Sequence, residues 1–378
     1  MSTASRPIRA RIDLSALRHN QSKVYEHAPG SFCWSVIKAN AYGHGDIRVA
    51  KALEGQTDGF AVLELETALR LRKAGIQRPI LLLEGPFHPD ELPVIYQHEF
   101  HIVIHGMHQL AWLRQYPPPP GFPLTIKINT GMNRLGFCLR DLPELAKTLS
   151  ALPNIRVTLA THFSTADNAR DVKSSVPEQM GRFAQMRAIL SAAGLTISEI
   201  SLANSAAILG HPESTRIAEL PVSVRPGIML YGSSPFGDRS ADSLGLRSVM
   251  SLESEIIAVQ TIEAGDAVGY GGSFVATQPM RIGVVACGYA DGYPRHAPTG
   301  TPVAVSGKIS RTLGRVSMDM LACDLSDLTH LGVGSPVTLW GSGHGGSLPV
   351  DDVALSAGTI SYELLSALAP RVPVEVVG

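Results

Sequence analysis

A lysine at the end of an apolar segment is the first candidate for chemistry. Lys38 closes the run FCWSVIK and is followed by the glycine-rich stretch ANAYGHG, residues 39–45. An amine at the end of a buried strand is partly desolvated, which lowers its pKa and suits it to Schiff-base chemistry. A surface lysine at a strand end is the alternative that this position alone leaves open.

Four later apolar runs also end in polar residues. Hydroxyl groups and glycine N–H groups at such positions can cradle a phosphate. Together with Lys38 and the nearby aromatic Tyr42, they point to pyridoxal phosphate (PLP) as a cofactor. Taken alone, a histidine here is as often structural, and an arginine as often pairs with a carboxylate. The residues are Lys127 and Arg134, Thr161 and His162, Asn204 and Ser205, and Arg225 and Gly227.

The elements that must position these residues alternate along the first part of the chain. Short runs rich in Val, Ile and Leu are typical of strands buried on both faces, and helical leucine spacing fills several of the intervals. Eight strand–helix units match the count and size of a (β/α)8 barrel, in which phosphates often bind after strands 7 and 8. An open doubly wound sheet is the alternative, although no GxGxxG follows the first run. The predicted strands are 32–38, 60–63, 79–84, 100–105, 124–130, 157–163, 199–205 and 224–232, and the predicted helices are 65–75, 107–116, 142–152 and 177–194.

The sequence pattern changes after about residue 240. The runs there are short, β-branched and broken by Gly, Pro and Asp, which indicates a mostly β region. One helix is predicted over 353–368. We therefore predict two domains, a PLP-binding barrel over residues 1–235 and a β-rich C-terminal domain over residues 236–378.

The composition argues against several classes of protein. Lys and Arg number 32 and Asp and Glu 33, and this net charge of −1 gives no general attraction to nucleic acid or to anionic membranes. No apolar run is long enough to span a membrane, and the N-terminus lacks the apolar core of a secretory signal, so we expect a cytoplasmic protein. We expect neither a disulfide framework nor a metal site, because no CxxC spacing occurs among Cys33, Cys138, Cys287 and Cys323.

Several longer blocks resemble one enzyme family. The stretch SVIKANAYGHG (35–45) is similar to the PLP-attachment signature of the alanine racemases, which are PLP enzymes of fold type III. Further blocks resemble that family in the family's order, so the resemblance covers essentially the whole chain. These are KINTGMNRLGF (127–137), THFSTAD (161–167), ANSAAIL (203–209), VRPGIMLYG (224–232), VGYGG (268–272), GYADGYPR (288–295), GRVSMDM (314–320) and ISYEL (360–364).

This resemblance implies a PLP-dependent racemase that interconverts L-alanine and D-alanine and supplies D-alanine for peptidoglycan. It also implies a homodimer with shared active sites. Lys38 would hold PLP covalently and act as one base, and the partner subunit's Tyr270 would be the second base on the opposite face of the substrate Cα. Both groups need a lowered pKa, because their ordinary values are about 10.

The same resemblance assigns contacts with the cofactor. Arg225 would face the PLP ring nitrogen and, because a guanidinium accepts no proton, would keep that nitrogen unprotonated and limit side reactions. His162 and Asn204 would lie beside the ring. The phosphate would be held by Tyr42, Ser205, Gly227, Ile228 and Tyr362.

Further residues are implied for the substrate. Arg134 would steady the substrate carboxylate or the PLP phenolic oxygen, and the partner's Met318 and the partner's Asp319 would contribute to the carboxylate site. Lys127 stands where some family members carry a carbamylated lysine that pairs with the arginine. An unmodified Lys127 close to Arg134 would repel it, which favours the modification.

Three other functions share part of this pattern. A PLP-dependent decarboxylase on the same fold would carry an acid at the ring nitrogen and lack the opposed tyrosine, so Arg225 and Tyr270 count against it. A non-catalytic PLP carrier would resemble a lone barrel without the β-rich region. A broad-specificity racemase stays open, although Tyr289 and Tyr362 would narrow the access to the site and favour a side chain as small as methyl.

Overall fold

Eight parallel strands close into a barrel in the computed structural model, which describes residues 5–152, 154–168, 174–217 and 219–378. Every strand pairs with the next along the chain, and the first pairs with the last through Phe32↔Ser223 and Cys33↔Val224. The predicted barrel is therefore confirmed. After the N-terminal strand β1 (Arg9–Asp13), the barrel strands are β2 (Phe32–Val36), β3 (Gly59–Val62), β4 (Ile80–Leu82), β5 (His101–Ile104), β6 (Pro123–Lys127), β7 (Arg156–Ala160), β8 (Ile197–Asn204) and β9 (Val222–Arg225).

Helices alternate with the barrel strands, and local chemistry sets their ends. The first is capped by the Asp13 carboxylate, which accepts from the backbone N–H groups of Ser15 and Ala16. Another ends just before the prolines at 117–120, which cannot continue a helix. The helices are α1 (Leu14–His27), α2 (Lys38–Tyr42), α3 (Asp46–Leu53), α4 (Leu65–Lys73), α5 (Leu92–Gln97), α6 (Met107–Gln115), α7 (Leu142–Ser150), α8 (Val176–Ala192) and α9 (Ser205–Gly210).

The C-terminal region is mostly β, as predicted. Its main sheet has nine strands, one of which is the N-terminal β1. Six consecutive strands of this sheet form a closed antiparallel ring, because the two strands at the ends of that run of six also pair with each other. The strands are β10 (Met250–Ile262), β11 (Ala267–Val268), β12 (Phe274–Val275), β13 (Met280–Val285), β14 (Pro302–Val305), β15 (Lys308–Leu313), β16 (Leu321–Asp324), β17 (Pro336–Gly343), β18 (Gly346–Leu348) and β19 (Val374–Val377). The main sheet has the order β18-β17-β14-β15-β16-β13-β10-β1-β19.

Two predicted elements differ from those in the structure. The single helix predicted over 353–368 is two helices, α10 (Val350–Ser356) and α11 (Ser361–Ser366), because Gly358 adopts a left-handed φ of 71° between them. The last predicted barrel strand, 224–232, ends at Arg225 and turns into a 3₁₀ helix over Ile228–Tyr231. The domain boundary at 235/236 stays a prediction, and β1 crosses it by pairing with β10.

In the described part of the chain, no helix combines the length and the apolar character that a membrane crossing requires.

Candidate active site

A cavity of about 500 Å³ opens at the carboxyl ends of the barrel strands. It gathers twelve of the residues selected from the sequence: Lys38, Tyr42, Lys127, Arg134, Thr161, His162, Asn204, Ser205, Arg225, Gly227, Ile228 and Tyr362. The other four, Tyr270, Tyr289, Met318 and Asp319, do not line this cavity within the described chain.

Lys38 opens a left-handed turn at the mouth of the barrel. The predicted strand ends at Lys38, whereas β2 ends at Val36 and Lys38 begins the next element. The four residues after it, 39–42, have φ angles of 52–54°. For residues with a Cβ this conformation costs about 1–2 kcal/mol each, so the surrounding contacts must hold the turn. The turn places both Lys38 and Tyr42 on the cavity wall.

Two lysines on the wall lose their protons more readily than an exposed lysine. Burial and the charge of Arg134 lower the pKa of Lys38. Burial and the nearby Arg225 and Arg134 lower the pKa of Lys127 to about 8. Each amine therefore has a larger neutral, nucleophilic fraction near neutral pH than an exposed lysine would have.

Arg225 donates only to neutral oxygens. Its guanidinium bonds the Ser201 hydroxyl and the carbonyls of Thr161 (2.6 Å) and Leu202 (3.3 Å). None of the ion pairs among the described residues involves Arg225, so the carboxylate partner that the sequence left open is not found there. Burial lowers the pKa of Arg225 only to about 10, which leaves it a cation at neutral pH.

The imidazole of His162 is neutral. Burial and the positive charge of Arg225 lower its pKa to about 3. A neutral ring beside Arg225 adds no second positive charge to this part of the cavity.

A close cluster of hydroxyl and N–H groups lies between the ends of β8 and β9. The Ser205 hydroxyl accepts from the backbone N–H groups of Gly227 (2.8 Å) and Met229 (3.3 Å). A Cβ added at Gly227 would lie 2.5 Å from the Tyr42 hydroxyl oxygen, so only glycine admits this approach. Burial raises the pKa of Tyr42 to about 12 and keeps it a neutral donor. Asn204 fixes the adjacent turn through its side-chain oxygen, which accepts from the Ala207 N–H at 3.0 Å.

These groups fit PLP. One cavity holds three kinds of group that PLP requires. The desolvated lysine amine suits Schiff-base formation, and the arginine, which has no carboxylate partner among the described residues, suits the ring nitrogen. The compact set of hydroxyl and N–H groups suits the phosphate.

The four remaining residues lie on segments of the C-terminal region that contact one another. Tyr270 is 71 % exposed and Met318 is 52 % exposed. A Cβ on Gly271, next to Tyr270, would lie 3.3 Å from the Arg315 side chain. The Tyr289 segment is bonded to the Met318 segment, because the N–H of Ala290 donates to the Met318 carbonyl at 3.0 Å. The carboxylate of the fourth residue, Asp319, accepts from Arg371 at 2.8 Å.

Two of the cavity-wall residues that were not predicted bear on its charge and hydrogen bonding. Glu84 follows β4 and opposes the lowering of the Lys38 and Lys127 pKa values. The sequence could have indicated Glu84, because it is the last residue of the predicted strand 79–84 and so stands at a strand end, like the selected residues of the later strands. The Ser201 hydroxyl accepts a hydrogen bond from the Arg225 guanidinium. Ser201 lies inside β8 and not at a strand end, so its position in the sequence did not mark it.

Comparison with known proteins identifies the family. A family model described as "Alanine racemase, N-terminal domain" matches residues 12–235, and "Alanine racemase, C-terminal domain" matches residues 249–376. The chain is 51 % identical over 375 residues to an alanine racemase of Laribacter hongkongensis, covering 99 % of each chain. It is 49 % identical over 372 residues to a protein of Klebsiella aerogenes named "Alanine racemase, catabolic", covering 98 % of this chain and 99 % of that one. The crystal structure of a biosynthetic alanine racemase from Pseudomonas aeruginosa is 43 % identical, with a TM-score of 0.90 over 99 % of this chain and 100 % of that chain. The chain therefore belongs to the alanine racemase family.

Proposed function

We propose that this protein interconverts L-alanine and D-alanine with PLP as its cofactor. The observation that carries the proposal is the shared cavity of Lys38, with its lowered pKa, and Arg225, which has no carboxylate partner among the described residues. Family membership supplies the reaction class.

Lys38 would serve one face of the substrate. PLP, when bound, withdraws electrons from the substrate Cα and makes its proton acidic. The Nζ of Lys38 would take that proton or return it, and the burial that lowers its pKa increases the fraction of neutral amine relative to an exposed lysine.

The partner's Tyr270 would serve the other face. A single base exchanging a proton on one face returns the same enantiomer, so racemisation needs a second group opposite Lys38. Within the described chain the Tyr270 side chain is exposed and off the cavity wall, which supports a role in a second copy of the chain. The exposed Met318 and Tyr289 lie on neighbouring segments of the same region. One dimer contact would therefore place Met318, Tyr289 and Tyr270 together at the cavity of the other subunit. The partner's Met318 and the partner's Asp319 would then complete the substrate carboxylate site.

The barrel residues would bind and orient the cofactor. Ser205, the Tyr42 and Tyr362 hydroxyls and the Gly227 and Ile228 backbone would hold its phosphate. Arg225 would meet its ring nitrogen as a donor that accepts no proton, and His162 and Asn204 would lie beside the ring.

Lys127 would be carbamylated and pair with Arg134. Its pKa of about 8 favours attack of the neutral amine on carbon dioxide. The new N–C bond replaces an N–H bond, and the proton passes to solvent. The carbamate left behind is an anion, which would remove the repulsion between Lys127 and the two nearby arginines and let Arg134 steady the substrate carboxylate or the cofactor's phenolic oxygen.

The size of the substrate and the physiological role belong to the same proposal. Tyr362 on the cavity wall and the partner's Tyr289 would narrow the access to the site and favour a methyl side chain. We also propose a cytoplasmic location and the supply of D-alanine for peptidoglycan, with family resemblance as the only support. The relatives include proteins named as biosynthetic and as catabolic racemases.

The test uses the purified protein with PLP and L-alanine in deuterated water. We expect D-alanine to form and deuterium to enter at Cα. Tyr270→Phe should suppress proton transfer on one face far more than on the other, seen as unequal exchange from L- and D-alanine. Absence of both D-alanine formation and deuterium exchange in the wild-type protein would contradict the proposed function, and equal exchange rates in Tyr270→Phe would contradict its assignment as the second base.

A further inference from the structure

Three buried aromatic rings stack behind the turn that carries Lys38. The rings of Tyr42 and Tyr231 lie 4.6 Å apart, and those of His44 and Tyr231 lie 4.5 Å apart, measured between centroids. Tyr231 is 1 % exposed and His44 is fully buried. Tyr231 ends the 3₁₀ helix after β9, so the stack joins the last strand of the barrel to the segment that follows its first strand.

Hydrogen bonds from this stack hold the chain on both sides of Lys38. The Tyr231 hydroxyl donates to the Val36 carbonyl at 2.9 Å, two residues before Lys38. On the other side, Nδ1 of His44 lies 3.0 Å from the Ala41 carbonyl oxygen and 2.9 Å from the Tyr42 carbonyl oxygen. Both of these oxygens are acceptors, so Nδ1 must carry the proton and donate.

The second nitrogen of His44 agrees with this assignment. Nε2 is buried without a hydrogen-bond partner among the described residues. It is therefore the unprotonated nitrogen of a neutral ring, since a protonated Nε2 would be a buried, unpaired donor. Burial holds the ring neutral by lowering the His44 pKa to about 4.

We infer that Tyr231 and His44 are positioning residues that hold the left-handed turn in place and thereby direct Lys38 and Tyr42 into the cavity. Residues 39–42 adopt a conformation that L-amino acids avoid, so the turn persists only where neighbouring groups determine it. The two side chains bond carbonyls on either side of Lys38 without lining the cavity themselves. The inference rests on the proposed function only for the identity of what Lys38 and Tyr42 bind.

Tyr231→Phe tests the first bond, because it keeps the ring stack and removes only the hydroxyl. Tyr96→Phe is the matched control: the Tyr96 hydroxyl also donates to a backbone carbonyl, that of Tyr116 at 2.8 Å, but this bond joins α5 to the residue after α6 and does not reach residues 36–44. We expect amide hydrogen exchange over residues 36–44 to become about five-fold faster in Tyr231→Phe and to stay unchanged in Tyr96→Phe. The concentration of PLP at half-saturation should rise by about the same factor in Tyr231→Phe alone.

Two variants of similar size test His44. The side-chain NH₂ of His44→Asn can take the place of Nδ1–H, whereas His44→Leu has no donor. We expect exchange over 36–44 and PLP half-saturation close to wild type in His44→Asn, and about ten-fold changes in His44→Leu. Should His44→Leu fail to fold, Tyr231→Phe and His44→Asn still decide the matter.

A purely structural role would give a different result. Thermal stability would then fall in Tyr231→Phe and Tyr96→Phe alike, with no selective change over 36–44 or in PLP half-saturation, and this outcome overturns the inference. Hydrogen exchange requires neither substrate nor turnover. A wild-type protein that fails to racemise alanine would therefore contradict the proposed function, while selective exchange over 36–44 would still support the role of Tyr231 and His44.

Discussion

Replacing Gly227 by alanine should damage the proposed phosphate site through one contact. The added Cβ would lie 2.5 Å from the Tyr42 hydroxyl oxygen, about 1 Å closer than an ordinary van der Waals contact of 3.4 Å or more. Tyr42 has little freedom to retreat, because it is buried and its ring stacks on Tyr231 at 4.6 Å. Overpacking of this kind costs about 1–3 kcal/mol. If that cost falls on the cofactor complex, PLP should bind roughly 5- to 150-fold more weakly.

The assay combines a PLP titration with thermal unfolding. Gly181 provides the matched control, since it lies in α8 with no atom within 4 Å of an added Cβ. Gly181→Ala should therefore stabilise the protein by about 0.5–1 kcal/mol and leave PLP binding unchanged. A Gly227→Ala protein with wild-type PLP affinity and an unchanged unfolding temperature would refute the contact on which this reasoning depends.

Three further predictions concern stability and modification. Asp291→Asn should destabilise the protein by about 2 kcal/mol in urea unfolding, because the buried carboxylate accepts from Arg6 and Arg371. Burial alone would raise the Asp291 pKa, but these hydrogen bonds lower it. The difference in unfolding free energy between wild type and variant should therefore persist at neutral pH and shrink as the pH falls below about 4. Gly358→Ala should cost about 1 kcal/mol by the same measurement, since φ is 71° there and the space around it is open; an unchanged unfolding midpoint would exclude the left-handed turn. Wild-type protein equilibrated with ¹³C-labelled carbonate at pH 8 should show a carbamate signal by NMR that is lost in Lys127→Ala, and an identical signal in both proteins would rule out Lys127 as the modified residue.

The barrel was predictable because its signal is local and repeats. Each buried parallel strand must be apolar on both faces, so eight runs of Val, Ile and Leu stood out against helical spacing, and each of the eight overlaps a barrel strand. The secondary-structure predictions were wrong or incomplete where the backbone conformation depends on a single residue or on contacts distant in the chain. Gly358 divides one apparent helix into two, and β1 leaves the barrel half to pair with β10, which no local pattern at residues 9–13 indicates.

The sequence by itself determined which chemical groups stand at the ends of the barrel strands, because parallel strands bring their carboxyl ends to one face and so gather Lys38, Ser205 and Arg225. Only the tertiary structure decided the state of those groups. The pKa of Lys127 depends on burial beside two arginines. The hydrogen-bond partners of Arg225 depend on which carbonyl groups the fold brings within reach of its guanidinium. The left-handed turn at 39–42 was equally unreadable, since only Asn40 among its four residues tolerates that conformation, and as a single residue rather than in a run. Burial, charge and strain are set by neighbours that are distant in the chain, and those neighbours exist only once the barrel has closed.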